Sequence, residues 1–379
     1  MPTPSRNRPE HDSPGAQARD ADAAVSPRDQ AGALRIIDAN ANRALEGLRV
    51  AEDYLRFIVE DRLLSAETKQ IRHDLTQALL AIPVADRHRC RSTTTDVGTT
   101  AKSADEYQRD SLPTVALANL RRVAEALRAI EETCKVDCVK AGQVGVLVES
   151  LRYRLYTLEK AVTTRSASAR RLDGRQLYVL TDADGPPEEF ARRIQNVLDG
   201  GADVLQLRDK RADDRRLLAY ARHLRQLTRG TDCLVVINDR PDLAILAQAD
   251  GVHVGQDELT VADVRSLVGP RMLIGVSTHS WAQAQQAILD GADYLGIGPM
   301  FSSQTKSFRD FPGIDFARQV AANVSLPCFA IGGISRHNVD QLLEVGVCRI
   351  AVSAAIWQAE NCRQAACDLK QRLLAPRRT

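Results

Sequence analysis

Val204-Leu205-Gln206-Leu207-Arg208-Asp209-Lys210 is the stretch from which the fold of this chain is read. It begins as an apolar run and ends polar. Side chains alternate along a strand, so Gln206, Arg208 and Lys210 share one side, an amide and two cations at the carboxyl end of a strand that has just entered a core. Three such groups in register predict a receptor for a polyanion, most simply a diphosphate.

Outward from that strand, short β-rich runs alternate with amphipathic segments. The runs are Leu177 to Thr181, Val204 to Leu207, Leu234 to Asn238, Val252 to Val254, Leu273 to Ser277, Tyr294 to Gly298, Cys328 to Ile331 and Ile350 to Ser353. Between them lie segments such as Glu188 to Leu198, Arg215 to Thr228 and Trp281 to Leu289, with helical periodicity. Strict alternation of eight strands with helices predicts an α/β fold, a (β/α)8 barrel over residues 176–379. About 200 residues is near the small end for that fold, which leaves little room for insertions.

A barrel places its active site at the carboxyl ends of the strands and in the loops that follow. The polar residues obey that demand. The second strand ends in Gln206, Arg208 and Lys210, the third in Asn238-Asp239, and the fourth is followed by Gln256-Asp257-Glu258. The fifth ends in Ser277, and the loop after the sixth carries Ser303, Gln304, Thr305 and Lys306. The seventh ends in Gly332-Gly333 and the eighth in Val352-Ser353. Taken singly these are ordinary: Asn-Asp caps turns, and Gly-Gly makes them. Their joint placement at one mouth carries the expectation.

Asp239 with Glu258 or Asp257 supplies hard oxygen ligands for Mg²⁺, which takes one or two carboxylates and completes its shell with phosphate and water. Arg208, Lys210 and Lys306 add positive charge, so the group suits neutralisation of a diphosphate as it leaves. Gly332-Gly333 admits close backbone approach, and with Ser353 it fits the phosphate site that barrels build after the last two strands. His253 and His279 read as packing or hydrogen-bonding residues. Trp281 and Trp357 read as helix packing.

The first half has a different texture. Residues 1–30, rich in Pro, Ala, Asp and Arg with no apolar core segment, are expected to form a disordered lead rather than a signal peptide. Residues 31–162 read as an all-helical domain: Leu34, Ile37, Ala41, Leu45, Leu48, Ala51, Leu55 and Ile58 recur at steps of three and four, and three more helices are expected over 65–80, 113–135 and 144–162. A Ser/Ala/Arg-rich stretch, 163–175, is expected to be a linker. Within the helical half, Asn40-x-x-Arg43-x-x-Glu46-x-x-Arg49-x-x-Glu52-Asp53 recurs as Asn119-x-x-Arg122-x-x-Glu125-x-x-Arg128-x-x-Glu131-Glu132. Two readings stand open. The repeats are Arg/Glu ladders on solvated faces, or, since Glu52 shares a face with Leu34 and Leu45, a buried network.

Net charge is +2 from 51 basic and 49 acidic side chains, and aromatics are 4% of the chain, so neither a basic field nor stacking platforms argue for nucleic acid. No apolar run reaches the ~18 residues of a membrane span. The eight cysteines form no CxxC and read as free thiols of a cytoplasmic protein.

The motifs Tyr178 to Asp182, Gln206 to Lys210, Ile237-Asn238-Asp239, Gly251 to Leu259, Gly275-Val276-Ser277, Gly298 to Lys306 and Ile331 to Ile334 together resemble the thiamine-phosphate synthase family over residues 176 to about 372. The helical half, through its repeats and the Asp96-Val97-Gly98-Thr99 loop, resembles the amino-terminal domain that some bacterial members carry, a domain associated with phosphorylation of the thiamine pyrimidine. No P-loop or Gly-rich nucleotide loop accompanies it. The resemblance implies a Mg²⁺-dependent transferase joining hydroxymethylpyrimidine diphosphate to hydroxyethylthiazole phosphate, with diphosphate leaving first and a pyrimidine carbocation captured by the thiazole nitrogen. It implies that Gln206, Arg208, Lys210, Asn238, Ser277 and Lys306 hold the pyrimidine diphosphate, with Asp209 among the substrate-binding set. Ser303, Gln304, Thr305, Gly333, Val352 and Ser353 then hold the thiazole phosphate, and Asp239 and Glu258 bind Mg²⁺. Glu258 stands where Asp is commoner in the family, and Ser303 where Thr is usual.

Two alternatives compete with that expectation. One is a thiazole tautomerase of the same fold, which has no use for a diphosphate and metal site. The other is a non-catalytic phosphate-binding barrel with the activity in the helical half. Small-molecule substrates are the expected partners, with no nucleic acid or membrane, and a homo-oligomer is compatible with the sequence.

Overall fold

The computed structural model of the chain describes residues 26–92, 109–136, 141–302 and 312–375. Its amino-terminal half consists of α1 (Pro27–Phe57), α2 (Arg62–Leu79), α3 (Val84–Arg89), α4 (Leu112–Thr133) and α5 (Gly142–Arg171). The chain supplies its own helix starts: Ser26, Asp61 and Ser111 accept hydrogen bonds from Arg28 N, Leu64 N and Thr114 N, groups that have no partner inside a helix. α1 and α4 cross at Gly47, where a Cβ would lie 2.7 Å from Val123 Cγ2. The apolar stripes read from the sequence meet there, with Ile37, Leu48 and Leu55 buried alongside Leu120, Leu127 and Ile130.

The Asn/Arg/Glu repeats combine both readings. Arg49, Asp53, Arg128 and Glu132 form half-exposed ladders, but Glu52 and Glu131 are only 4% and 2% exposed. Each buried carboxylate is met by an arginine from the following helix, Glu52 by Arg72 at 3.0 Å and Glu131 by Arg152 at 2.9 Å. Asn40 and Asn119 likewise each donate to the carbonyl four residues back. The same register is solved the same way twice.

Two expected boundaries move. The lead ends before Pro27, where α1 begins, and residues 1–25 lie outside the described residues. The expected linker is helix as far as Arg171, because its Ala and Arg are good helix formers and no Gly or Pro intervenes before Gly174. Its small residues dock rather than flex: Ser168 is fully buried and donates to Asp293 Oδ1 at 2.8 Å.

The second half is a closed parallel barrel in the order β1 to β8, as expected. The strands are β1 (Leu177–Thr181), β2 (Val204–Leu207), β3 (Leu234–Asn238), β4 (Gly251–Val254), β5 (Leu273–Thr278), β6 (Tyr294–Ile297), β7 (Cys328–Ile331) and β8 (Ile350–Val352). Around them run α6 (Pro187–Asp199), α7 (Asp214–Leu227), α8 (Pro241–Leu246), α9 (Val261–Val268), α10 (Trp281–Asp290), α11 (Gly313–Asn323), α12 (Val339–Glu344), α13 (Ala354–Trp357) and α14 (Cys362–Leu374). Inward side chains, among them Tyr178, Val204, Val236, Leu273, Tyr294 and Phe329, fill the interior as a core of their own. Trp357 packs under Arg193, its ring 4.6 Å from the guanidinium, and its indole N–H donates to Leu180 O.

At the base, Asp203, Asp250 and Asp293 accept backbone N–H groups of Leu177, Val235 and Ile274, pinning alternate strands. The helical half docks on this end. Besides Ser168 with Asp293, Arg165 donates to Ser325 Oγ and Asp61 accepts from Ser325, which lies in the turn leading up to β7. Strand carboxyl ends, and with them the mouth, open on the opposite side.

No described helix is long and apolar enough to cross a membrane. The seven described cysteines are all free.

Candidate active site

The strand ends surround a cleft of about 930 Å³. Gln206, Arg208, Asp209, Lys210, Asn238, Ser277, Gly333, Val352 and Ser353 all line it. Ser303, Gln304, Thr305 and Lys306 lie outside the described residues, as does the Asp96 to Thr99 loop of the helical half.

Alternation along β2 does what the sequence predicts: Gln206 is buried in the barrel floor and Arg208 stands above it at the rim. Among the described residues the Arg208 guanidinium has no hydrogen-bond or ion-pair partner, so its donors remain available to an anion. Asp209 points elsewhere. Its carboxylate accepts from Arg211 N at 2.8 Å, Ala212 N at 3.2 Å and Ala183 N at 3.3 Å. Burial opposes its charge, but those amides outweigh burial and hold the carboxyl below its usual range. Asp209 therefore shapes the loop that carries Lys210.

Lys210 Nζ lies 3.6 Å from Asp239 Oδ2 and 3.8 Å from Glu258 Oε1. Asp239 is held in the left-handed region, φ 60°, with its N–H bonded to His253 O at 2.8 Å and its Oδ2 to Asn238 Nδ2 at 2.6 Å. Non-glycine residues adopt that backbone at a cost and cluster at functional sites. Burial, and then repulsion from Glu258, push the Asp239 carboxyl above its usual range despite Lys210 and Arg208. Two carboxylates share one ammonium, and the negative charge is under-compensated. Glu258 folds back across Gly255, where a Cβ would collide with its carboxylate. Asp257 is exposed, so of the two candidates Glu258 is the one gathered with Asp239. Among the described residues no cluster of three or more His, Cys, Asp or Glu could hold a metal. What Asp239 and Glu258 offer is two hard oxygen donors, which fits an ion that draws its remaining ligands from phosphate and water.

Across the mouth, Gly332 and Gly333 have φ of 102° and 63°. A Cβ on Gly333 would lie 2.7 Å from Ser302 O, so only glycine lets β7 turn this closely against the segment after β6. Asn338 Nδ2 braces the turn through Gly333 O at 2.9 Å.

The sequence reading missed the barrel floor. Tyr178 and Tyr294 point inward between Gln206 and His253, and their hydroxyls are 3.1 Å apart. His253 contacts Tyr294 Oη through Nδ1 and Ser277 Oγ through Nε2, at 3.2 and 2.9 Å. Both histidines are hydrogen-bonding residues, His279 through Gly298 O. A signal for the tyrosines existed: Gly275 and Gly296 occupy inward positions on neighbouring strands, and a Cβ on Gly275 would overlap the Tyr294 ring.

A closed parallel barrel with Arg208, Lys210 and a glycine turn lining one cleft, and two carboxylates beside Lys210, defines a (β/α)8 protein with a cleft suited to an anion. Residues 177–356 match the family described as Thiamine monophosphate synthase, and residues 35–161 match the ThiD2 family. The chain is 40% identical to the thiamine-phosphate synthase of Rhodopirellula baltica, across 89% of this chain and 92% of that one. Identity to the thiamine-phosphate synthase of Synechocystis sp. is 39%, across 89% and 96% of the two chains, and to that of Gloeobacter violaceus 41%, across 86% and 93%. This chain belongs to the thiamine-phosphate synthase family.

Proposed function

We propose that the barrel condenses hydroxymethylpyrimidine diphosphate with hydroxyethylthiazole phosphate, giving thiamine phosphate and releasing diphosphate. The observation that carries this is the grouping at one rim of Arg208, unpaired among the described residues, Lys210 and the Asp239–Glu258 carboxylate pair. A tautomerase or a plain phosphate-binding barrel has no use for that pair.

Arg208 and Lys210 hold the diphosphate and stabilise the charge it gathers as the carbon–oxygen bond breaks. Asp239 and Glu258 would hold Mg²⁺, which would supply charge neutralisation for the leaving diphosphate, and Lys210, which lies 3.6 Å from Asp239 Oδ2 and 3.8 Å from Glu258 Oε1, is placed beside both carboxylates. Gln206 and Ser277 orient the pyrimidine ring from the floor. Gly333, Val352 and Ser353 receive the thiazole phosphate on the far side, with Ser303, Gln304 and Thr305 assigned to the same phosphate and Lys306 to the diphosphate. No activated nucleophile is needed, because alignment of two bound substrates supplies the capture step. Seven described free cysteines, three of them with thiols pushed up to about 11 or 12 by burial, are poor candidates for one.

The test is diphosphate release by the full-length protein given both substrates, with Mg²⁺ and with chelator. Release that needs both substrates and the metal is the expected result. Metal-independent release, or none, refutes the reading.

A further inference from the structure

Beneath the cleft, five side chains form one hydrogen-bonded chain across the barrel. Gln206 Nε2 donates to Tyr178 Oη at 2.9 Å; Tyr178 Oη and Tyr294 Oη are 3.1 Å apart; Tyr294 Oη is 3.2 Å from His253 Nδ1; and His253 Nε2 is 2.9 Å from Ser277 Oγ. The ends, Gln206 on β2 and Ser277 on β5, line the cleft. Tyr178 and Tyr294 in the middle are 3% and 1% exposed.

The protons of this chain can be counted. Burial pushes both phenols above their usual range, so each keeps its hydroxyl proton near pH 7, and the His253 ring faces only two hydroxyls, Tyr294 Oη and Ser277 Oγ, so it enters the count as a neutral imidazole with one ring proton. With Gln206 donating, the order that leaves no buried proton unpaired has Tyr178 donating to Tyr294, Tyr294 to His253 Nδ1, and His253 Nε2–H to Ser277 Oγ. Ser277 keeps its own hydroxyl proton for the cleft, and Gln206 turns its carbonyl oxygen there. The reverse order requires the Gln206 amide to rotate and every proton to shift, which would present an NH₂ and a serine lone pair instead. The two ends are thus coupled: one is an acceptor when the other is a donor. Arg208 and Lys210, on the same side of the strand as Gln206, favour the state with the amide oxygen facing them.

Resting on the reading of the cleft as a pyrimidine site, we infer that Tyr178, Tyr294 and His253 are positioning residues that lock Gln206 as acceptor and Ser277 as donor. The floor then reads an exocyclic amino group beside a ring nitrogen, and rejects a ring in which an oxo group and an N–H reverse that pattern.

The experiment compares turnover of the 4-amino pyrimidine diphosphate with its 4-oxo analogue in wild type, Tyr178→Phe, Tyr294→Phe and the double variant. Thermal melts are run alongside to establish that each variant is folded. Breaking the chain at either tyrosine should lower the amino-over-oxo ratio of kcat/KM by about tenfold or more, the scale of one hydrogen bond. The double variant should match either single one, because a chain cut once is already uncoupled. An unchanged ratio in a folded single variant, or losses that add in the double, overturns the inference. If wild type fails to turn over the 4-amino substrate, the reading of the site falls first, and the role of the floor falls with it.

Discussion

The Asp61 carboxylate accepts hydrogen bonds from both the backbone N–H and the hydroxyl of Ser325, at 2.9 and 2.8 Å, across 264 positions of sequence. The same side chain caps α2 through Leu64 N. One buried aspartate therefore starts a helix in the first half and fastens it to the base of the barrel.

Asp61→Ala removes a cap and leaves a half-buried Ser325 N–H unpaired. A loss of about 2–3 kcal/mol is expected from those two effects together. Urea unfolding should show it, with diphosphate release at 25 °C retained because the mouth lies at the other end. A midpoint equal to wild type would mean that this contact does not hold the halves together.

Arg208→Ala removes from the cleft a cation that has no partner among the described residues, without opening a core. We expect kcat/KM to fall by about 10²- to 10³-fold, the usual size for loss of one transition-state charge contact, with the melting temperature unchanged. Near-normal turnover would displace Arg208 from the diphosphate site.

Asp239→Asn keeps the shape of the strand end and halves the carboxylate pair. The Mg²⁺ concentration giving half-maximal activity should rise by about tenfold or more, since Mg²⁺ sites depend on few carboxylates. Titration of activity with Mg²⁺ decides it, and an unchanged midpoint would remove Asp239 as a ligand.

Glu131 yields a pH-dependent prediction. Burial raises its pKa, but Arg152, Lys135 and Arg128 prevail and the carboxyl sits below the usual 4.5. A depressed folded pKa contributes stability that is present above the unfolded value and lost as pH falls through the folded one. Glu131→Gln leaves Arg152 uncompensated and should cost about 2 kcal/mol at pH 7, at the low end for a broken buried pair because two of its partners are half exposed. Below pH 4.5 the gap to wild type should narrow, as wild type loses the same charge. A gap that is constant between pH 7 and pH 4 would assign the loss to packing.

Gly275→Ala places a methyl inside the Tyr294 ring and against His253 Nδ1. Overpacking of this kind costs about 1–3 kcal/mol, and here it also splits the hydrogen-bonded floor. Reduced urea stability accompanied by weaker discrimination at the cleft is the expected pair of results.

Much of the barrel was legible because its signal is local. Each strand is a short apolar run, alternation is a property of the backbone, and polar groups at strand ends need no partner to be noticed. Glu52 shows the limit: its position on an apolar helical face announced burial, but the partner that makes burial tolerable, Arg72, comes from another helix. Segment 163–175 departs from expectation for a related reason. Its Ser, Ala and Arg suit a linker or a helix equally; α5 continues through it to Arg171, and only the contact of Ser168 with Asp293 shows that this part of the helix docks on the barrel.

The sequence by itself determined the succession of eight strands, the inward and outward faces, and, among the described residues, the polar groups that lie at the strand ends, since these follow from periodicities of two and 3.6 along the chain. Only the tertiary structure decided that Glu258 rather than Asp257 gathers with Asp239, that Asp209 serves its loop, and that Tyr178, Tyr294 and His253 join Gln206 to Ser277. Asp209 apart, which closes a local turn onto Arg211 N and Ala212 N, those are contacts between strands brought together by barrel closure, and no periodicity within one strand encodes its partner across the interior.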